Sequence, residues 1–105
     1  EFAAPYHNLG NLKLSEGDLV AALEAYDEAI RIKNKNPYLH YHRGLALYQK
    51  GDLEEAVLAF ERAISLKRDY VEPRNVLAQV YDKLGRPEDA ARVRKSVRSL
   101  LSQHQ

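Results

Sequence analysis

Cysteine, methionine and tryptophan are all absent from this chain, and each absence limits what it can be. Without cysteine there are no disulfides and no thiolate metal sites, although such a chain suits a reducing and an oxidising compartment equally well. Without methionine the sequence holds no translation start, so it reads as a domain cut from a longer protein, with Glu1-Phe2 as a cloning remnant. No apolar run approaches the roughly 20 residues of a membrane-spanning helix, and no charged-then-apolar leader is present. The expectation is a soluble chain without membrane insertion, cytoplasmic by default. An excess of one charge is lacking too. Sixteen Lys and Arg against fifteen Asp and Glu leave +1, which removes the simplest electrostatic case for nucleic acid or an acidic membrane. The charges are graded nonetheless: residues 1–36 carry four basic and six acidic groups, residues 71–105 seven and four.

What is present suits one domain over residues 1–105. With 45% hydrophobic and 30% charged side chains, the chain can bury roughly 65% of its unfolded surface, enough for a small stack with little stability to spare. The organising feature is a period of 34. Gly17, Gly51 and Gly85 fall that far apart, as do Ala22, Ala56 and Ala90; Gly10 and Gly44 are followed at the same interval by Ala78. Larger residues keep the register: Leu19 with Leu53, Tyr26 with Phe60, Ile30 with Ile64, and Ile32 with Leu66 and Leu100. A fixed period of this size marks a repeat architecture, and the units are residues 3–36, 37–70 and 71–103.

Within a unit the apolar spacing is helical, as in Ala22, Ala25, Tyr26, Ala29 and Ile30, and no strand alternation occurs. The mid-unit glycine is a left-handed stop for a first helix. Asp18 and Asp52 follow as N-caps, Asp52 with Glu55 at capping-box spacing, and Pro87 sits in the first turn of the last helix. These signals predict helices near 5–16, 19–33, 37–50, 53–67, 71–84 and 87–102. Ala22, Ala56 and Ala90 are expected to be the holes into which Tyr26 and Phe60 pack.

The pattern resembles the tetratricopeptide repeat family. The residues carrying it are Tyr6, Leu9, Gly10, Gly17, Asp18, Ala22, Tyr26 and Ala29; Gly44, Leu47, Gly51, Asp52, Ala56, Phe60 and Ala63; and Leu77, Ala78, Tyr81, Gly85 and Ala90. The resemblance implies an all-α fold, a right-handed superhelical stack of three antiparallel helix-turn-helix hairpins forming an α-solenoid. The sequence departs from the family where Asn34 and Arg68 replace the closing proline and where His40 and Arg74 replace a first-helix aromatic, a change expected to weaken packing there.

In that family the first helices line a concave surface that receives an extended peptide or another helix. By register the groove is lined by His7, Asn8, Asn11 and Leu14, then Tyr38, Tyr41, His42, Leu45 and Tyr48, then Glu72, Asn75, Val76, Gln79 and Asp82. Its amides and tyrosines suit a neutral or mildly polar segment, with Asn11, Tyr41 and His42 as the leading contacts; Tyr38 and Tyr48 packing between first helices is the plainer alternative. A subclass of the family grips chaperone C-terminal carboxylates with Lys, Asn and Arg. Of those places only Asn11 matches; the others hold His7, His42, Glu72 and Val76, so a carboxylate clamp is not expected.

Arg94 and Arg98 stand where the other units have Tyr26, Phe60, Ile30 and Ile64, which fits a polar terminal cap. Arg92, Arg94, Lys95 and Arg98 together form a candidate basic patch, without aromatic residues for stacking on bases. His40 and His42 point about 200° apart on a helix and cannot share an ion; His7 and His42 can face one another, but a third ligand is lacking. No phosphate loop, nucleophile elbow or carboxylate pair stands out. The reading is a scaffold module for protein–protein interaction, with no enzyme activity, metal or cofactor. Its alternatives are a self-assembly segment stacking head to tail, with weak self-association, and a regulatory domain of a larger protein.

Overall fold

A computed structural model describes residues 3–103 as six helices: α1 (Ala3–Ser15), α2 (Leu19–Ile32), α3 (Pro37–Lys50), α4 (Leu53–Leu66), α5 (Val71–Lys83) and α6 (Pro87–Ser102). Each helix packs most closely on its hairpin partner, α1 on α2, α3 on α4 and α5 on α6, and the hairpins are joined by α2 against α3 and α4 against α5. Among the described residues no helix is long and apolar enough to cross a membrane.

Side-chain caps close the starts of α2 and α3 and are absent at the starts of α4, α5 and α6. At the end of α3, Gly51 adopts φ 92° and its amide returns to the carbonyls of Leu47 and Tyr48, a conformation that any Cβ would strain. The carboxylate of Asp18 accepts the Ala21 amide at 3.2 Å. Asp52 occupies the same place before α4, yet its carboxylate makes no cap bond. Lys50 holds it across the turn at 2.9 Å instead, so the expected capping box with Glu55 does not form.

Two apolar clusters make the core. One gathers Ala22, Tyr26, Ala29, Leu39 and Ala46 between the first and second hairpins; the other gathers Leu47, Ala56, Val57, Phe60, Leu77, Val80 and Tyr81 between the second and third. Ala22, Ala56 and Ala90 are fully buried, as are Tyr26 and Phe60. The sockets that the rings press upon are glycines: a Cβ on Gly10 would lie 2.5 Å from Tyr26 Cε1, and one on Gly44 would lie 2.6 Å from Phe60 Cε1. The third unit has Arg94 at the ring position, exposed and ion-paired to Asp82, and there the socket residue is Ala78.

His40 and Arg74 make polar contacts at the places of the missing aromatic, although Arg74 Nε is buried without a hydrogen-bond partner. His40 Nε2 lies 2.7 Å from the Asn34 carbonyl oxygen, and Arg74 donates at 2.7 Å to the Arg68 carbonyl, the position 34 residues on. Arg74 also donates to Ser96 Oγ at 3.0 Å. Each side chain thus reaches back to the inter-unit turn where the family's proline is missing and bonds a turn carbonyl two residues beyond the preceding helix.

Candidate functional site

The first helices stand side by side and meet directly, α1 against α3. His7 Nε2 and His42 Nδ1 lie 3.0 Å apart, linking the first and second units. Tyr41 and Tyr38 each place a ring 5.3 Å from Tyr70, linking the second unit to the start of α5. A row of rings therefore runs along this face. His42 stacks on Tyr26 with centroids 6.4 Å apart, Tyr41 lies 5.4 Å from His42 and 6.1 Å from Phe60, and the Lys67 ammonium sits 5.2 Å over Tyr70.

This row sorts the candidate groove residues. Asn8, Tyr38, Asn75 and Gln79 are exposed, whereas His7, Asn11, Tyr41, His42, Leu45 and Tyr48 are half-buried. Tyr41, Leu45, Tyr48 and Val76 pack on the second apolar cluster, and Leu14 packs on the first. Asn11 is committed as well. Burial pushes the Tyr26 hydroxyl up to about 12, so it stays protonated and donates to Asn11 Oδ1 at 2.6 Å. Asn11 keeps its amide hydrogens and one oxygen lone pair for another partner. Asp82 is held by Arg94, while Glu72 stays exposed.

Tyr70 is a ring of this face that the register did not single out, because it falls in the turn between units. It is buried, and burial first, with the neighbouring Tyr41 and Glu72, raises its hydroxyl pKa. The signal available was the aromatic residue immediately before α5, where the preceding unit has the capping Asn36.

Three histidines share one electrostatic direction. Burial lowers the pKa of His7, with His42 beside it adding to the effect; burial also lowers His42 and His40, partly offset by their backbone hydrogen bonds. Between each lowered value and the ordinary 6.5, the unfolded chain binds more protons than the folded one, so stability rises with pH across that window. The contribution is complete above about pH 7 and is lost as pH falls below about 6.5. Urea midpoints measured from pH 8 to 5 should fall on the acid side, and a His7→Gln, His42→Gln variant should show a shallower fall. A flat profile would contradict the assignment.

The candidate basic patch is partly neutralised. Arg92 donates to Asp89 at 2.9 Å, and Asp89 also takes Arg86 at 2.7 Å; Arg94 is bound to Asp82 on α5. Lys95 and Arg98 project from the exposed side of α6. Among the described residues no group of three or more His, Cys, Asp or Glu side chains is placed to hold a metal ion.

Comparison with known proteins accords with this geometry. A profile described as TPR repeat matches residues 10–51 and again 44–85. The chain belongs to the tetratricopeptide repeat family. Relatives of this tetratricopeptide domain include a TPR repeat-containing thioredoxin, TTL4, of Arabidopsis thaliana, 36% identical over 83 residues that make up 79% of this chain and 12% of the relative. The domain thus spans about an eighth of that protein. The crystal structure of MamA superposes with TM-score 0.95 at 22% identity, over 97% of this chain and 60% of that one. The second TPR of Spaghetti (RPAP3), bound to the HSP90 peptide SRMEEVD, superposes with TM-score 0.90 at 25% identity, over 95% and 93% of the two chains. Tetratricopeptide repeats are generally interaction modules without catalytic activity, and this domain has their all-α solenoid fold.

Proposed function

We propose that the first-helix face is a groove for a neutral, extended segment of a partner protein, and that it is not a carboxylate clamp. The observation that carries this reading is the division of labour on the face. Asn8, Tyr38, Asn75 and Gln79 are exposed along one side of α1, α3 and α5, above a row of rings that the core already holds in place. Exposed amides offer both donors and acceptors to a peptide backbone, and tyrosine adds contact area at low entropic cost. The relative bound to SRMEEVD supports peptide recognition by a domain of this shape. Of the clamp places Asn11 alone keeps free amide donors, while the others hold a histidine pair bonded to itself, the apolar Val76 packed on the core, and an exposed Glu72 that repels a carboxylate. Ordering an extended segment offsets much of the contact energy, so affinities of roughly micromolar are expected.

Because Asn11 and Tyr41 support the core, the informative variant is Asn8→Lys, Asn75→Lys, Gln79→Lys. Peptides selected from a random library against the wild-type domain should bind this triple variant at least about tenfold more weakly, with helicity unchanged, and SRMEEVD should not bind the wild-type domain. Undiminished binding to the variant, or SRMEEVD binding as tightly as the selected peptides, would overturn the proposal.

A further inference from the structure

The place filled by His7 and His42 occurs twice in the stack. One period on, the corresponding residues are Tyr41 and Val76, and both pack on the second apolar cluster. The fold therefore accepts an aromatic and an aliphatic side chain between neighbouring first helices, and repeat packing alone does not call for two imidazoles. Between α1 and α3 they meet nonetheless, with His7 Nε2 and His42 Nδ1 3.0 Å apart and the ring centroids 5.0 Å apart.

Both rings are held before anything binds. His42 lies nearly parallel to Tyr26, with 17° between the planes, and His7 meets Tyr26 edge-on at 68°. Tyr26 is itself fully buried and tied to Asn11. The imidazoles thus project from two helices onto a fixed ring, the arrangement that preorganises a ligand site. Their separation suits a shared ion as well as a shared proton. Two imidazole nitrogens bound about 2.0–2.1 Å from one ion lie about 2.9 Å apart when adjacent in a square plane and about 3.3 Å apart at a tetrahedral centre. The observed 3.0 Å falls between the two. In the neutral pair one ring donates its N–H into the lone pair of the other. Chelation needs only that the donor carry that proton on its second ring nitrogen instead, a change of tautomer with no net release.

We infer that His7 and His42 form a two-histidine chelate for one divalent transition-metal ion of the copper, nickel and zinc group, clasping the first helix of the first unit to that of the second. Imidazole suits these ions, whereas calcium and magnesium take oxygen ligands. Among the described residues no third His, Cys, Asp or Glu joins the pair, so water fills the remaining positions and the site stays open rather than closed like a structural one. The inference does not rest on the groove reading, so either can fail alone.

The test titrates Cu2+, Ni2+ and Zn2+ as chlorides into the purified chain. One ion per chain should bind, Cu2+ most tightly. At ten times its dissociation constant each ion should raise the thermal midpoint by about 5–10 °C, reversibly with EDTA, and Mg2+ should leave it unchanged. His7→Gln and His42→Gln should each weaken binding at least about tenfold, the loss that removing even a supporting group brings to a metal site. His104→Gln, outside the described residues, should leave binding as it is. Where a glutamine variant loses helicity, the imidazole proton resonances of the wild-type chain decide: added Zn2+ should move those of His7 and His42 and leave those of His40 in place. No bound ion at millimolar Ni2+ and Zn2+, a midpoint rise that survives His7→Gln, or resonance shifts confined to His40 or His104 would overturn the inference.

Discussion

Phe60→Ala should lower the unfolding free energy by about 3–5 kcal/mol, a large part of the roughly 5–15 kcal/mol expected for a chain of this size. The ring is fully buried, and it lies in the cluster that joins α4 to Leu77, Ala78 and Tyr81 of α5. In a repeat array most stability resides in such neighbour contacts rather than within a hairpin. The cavity would therefore loosen the second unit from the third as well as α3 from α4. Urea unfolding followed by circular dichroism checks this, with exposed Leu58→Ala as a control expected within about 0.5 kcal/mol. A Phe60→Ala loss below about 1 kcal/mol would mean that the ring does not organise this interface.

The second large effect has an unusual sign. On helix propensity alone Gly44→Ala should stabilise by about 1 kcal/mol. The new Cβ, however, would lie 2.6 Å from Phe60 Cε1 and 2.8 Å from its Cδ1, and a ring enclosed on all sides cannot swing aside. Overpacking of this kind costs about 1–3 kcal/mol, so a net loss is expected. The decisive comparison is Gly44→Ala in the Phe60→Ala background, where the clash is gone and the substitution should become neutral or stabilising. The third unit already carries the compatible pair, Ala78 with Arg94. Ala78 is buried in the second cluster, so Ala78→Gly should cost the propensity difference of about 1 kcal/mol together with about 0.8 kcal/mol for the buried methyl. If Gly44→Ala stabilises the wild type, the socket is looser than the geometry requires.

These residues also mark what could be read in advance. The period of 34 located all six helices, and the observed ends fall within about two residues of those predicted, because a repeated apolar spacing and a positive-φ glycine are local properties of the chain. Burial of Ala22, Ala56, Tyr26 and Phe60 followed from the same register. Each ring shares its cluster with the expected alanine, Tyr26 with Ala22 and Phe60 with Ala56; what the register did not name is the press of the rings on Gly10 and Gly44 of the facing helix.

The groove divides the same way. Its candidate residues could be named by register, but not which of them were already engaged. That His7 and His42 face one another was legible in the register and is borne out, whereas the bond from Tyr26 to Asn11 and the closing of the inter-unit turns by His40 and Arg74 depend on the distance between helices. One sequence gives no measure of that distance. Asp52 shows the limit within a single turn, where Lys50, two residues away, outcompeted the helix amides for its carboxylate.

The central claim is that exposed side chains on α1, α3 and α5 hold a partner segment while the rings beneath stay in place. Amide chemical-shift mapping of the domain with a library-selected peptide tests it most directly. The account predicts perturbations concentrated at Asn8, Tyr38, Asn75 and Gln79 and their first-helix neighbours, with α2, α4 and α6 little changed. Perturbations centred on the outer helices, or on Arg92, Lys95 and Arg98 of α6, would contradict it.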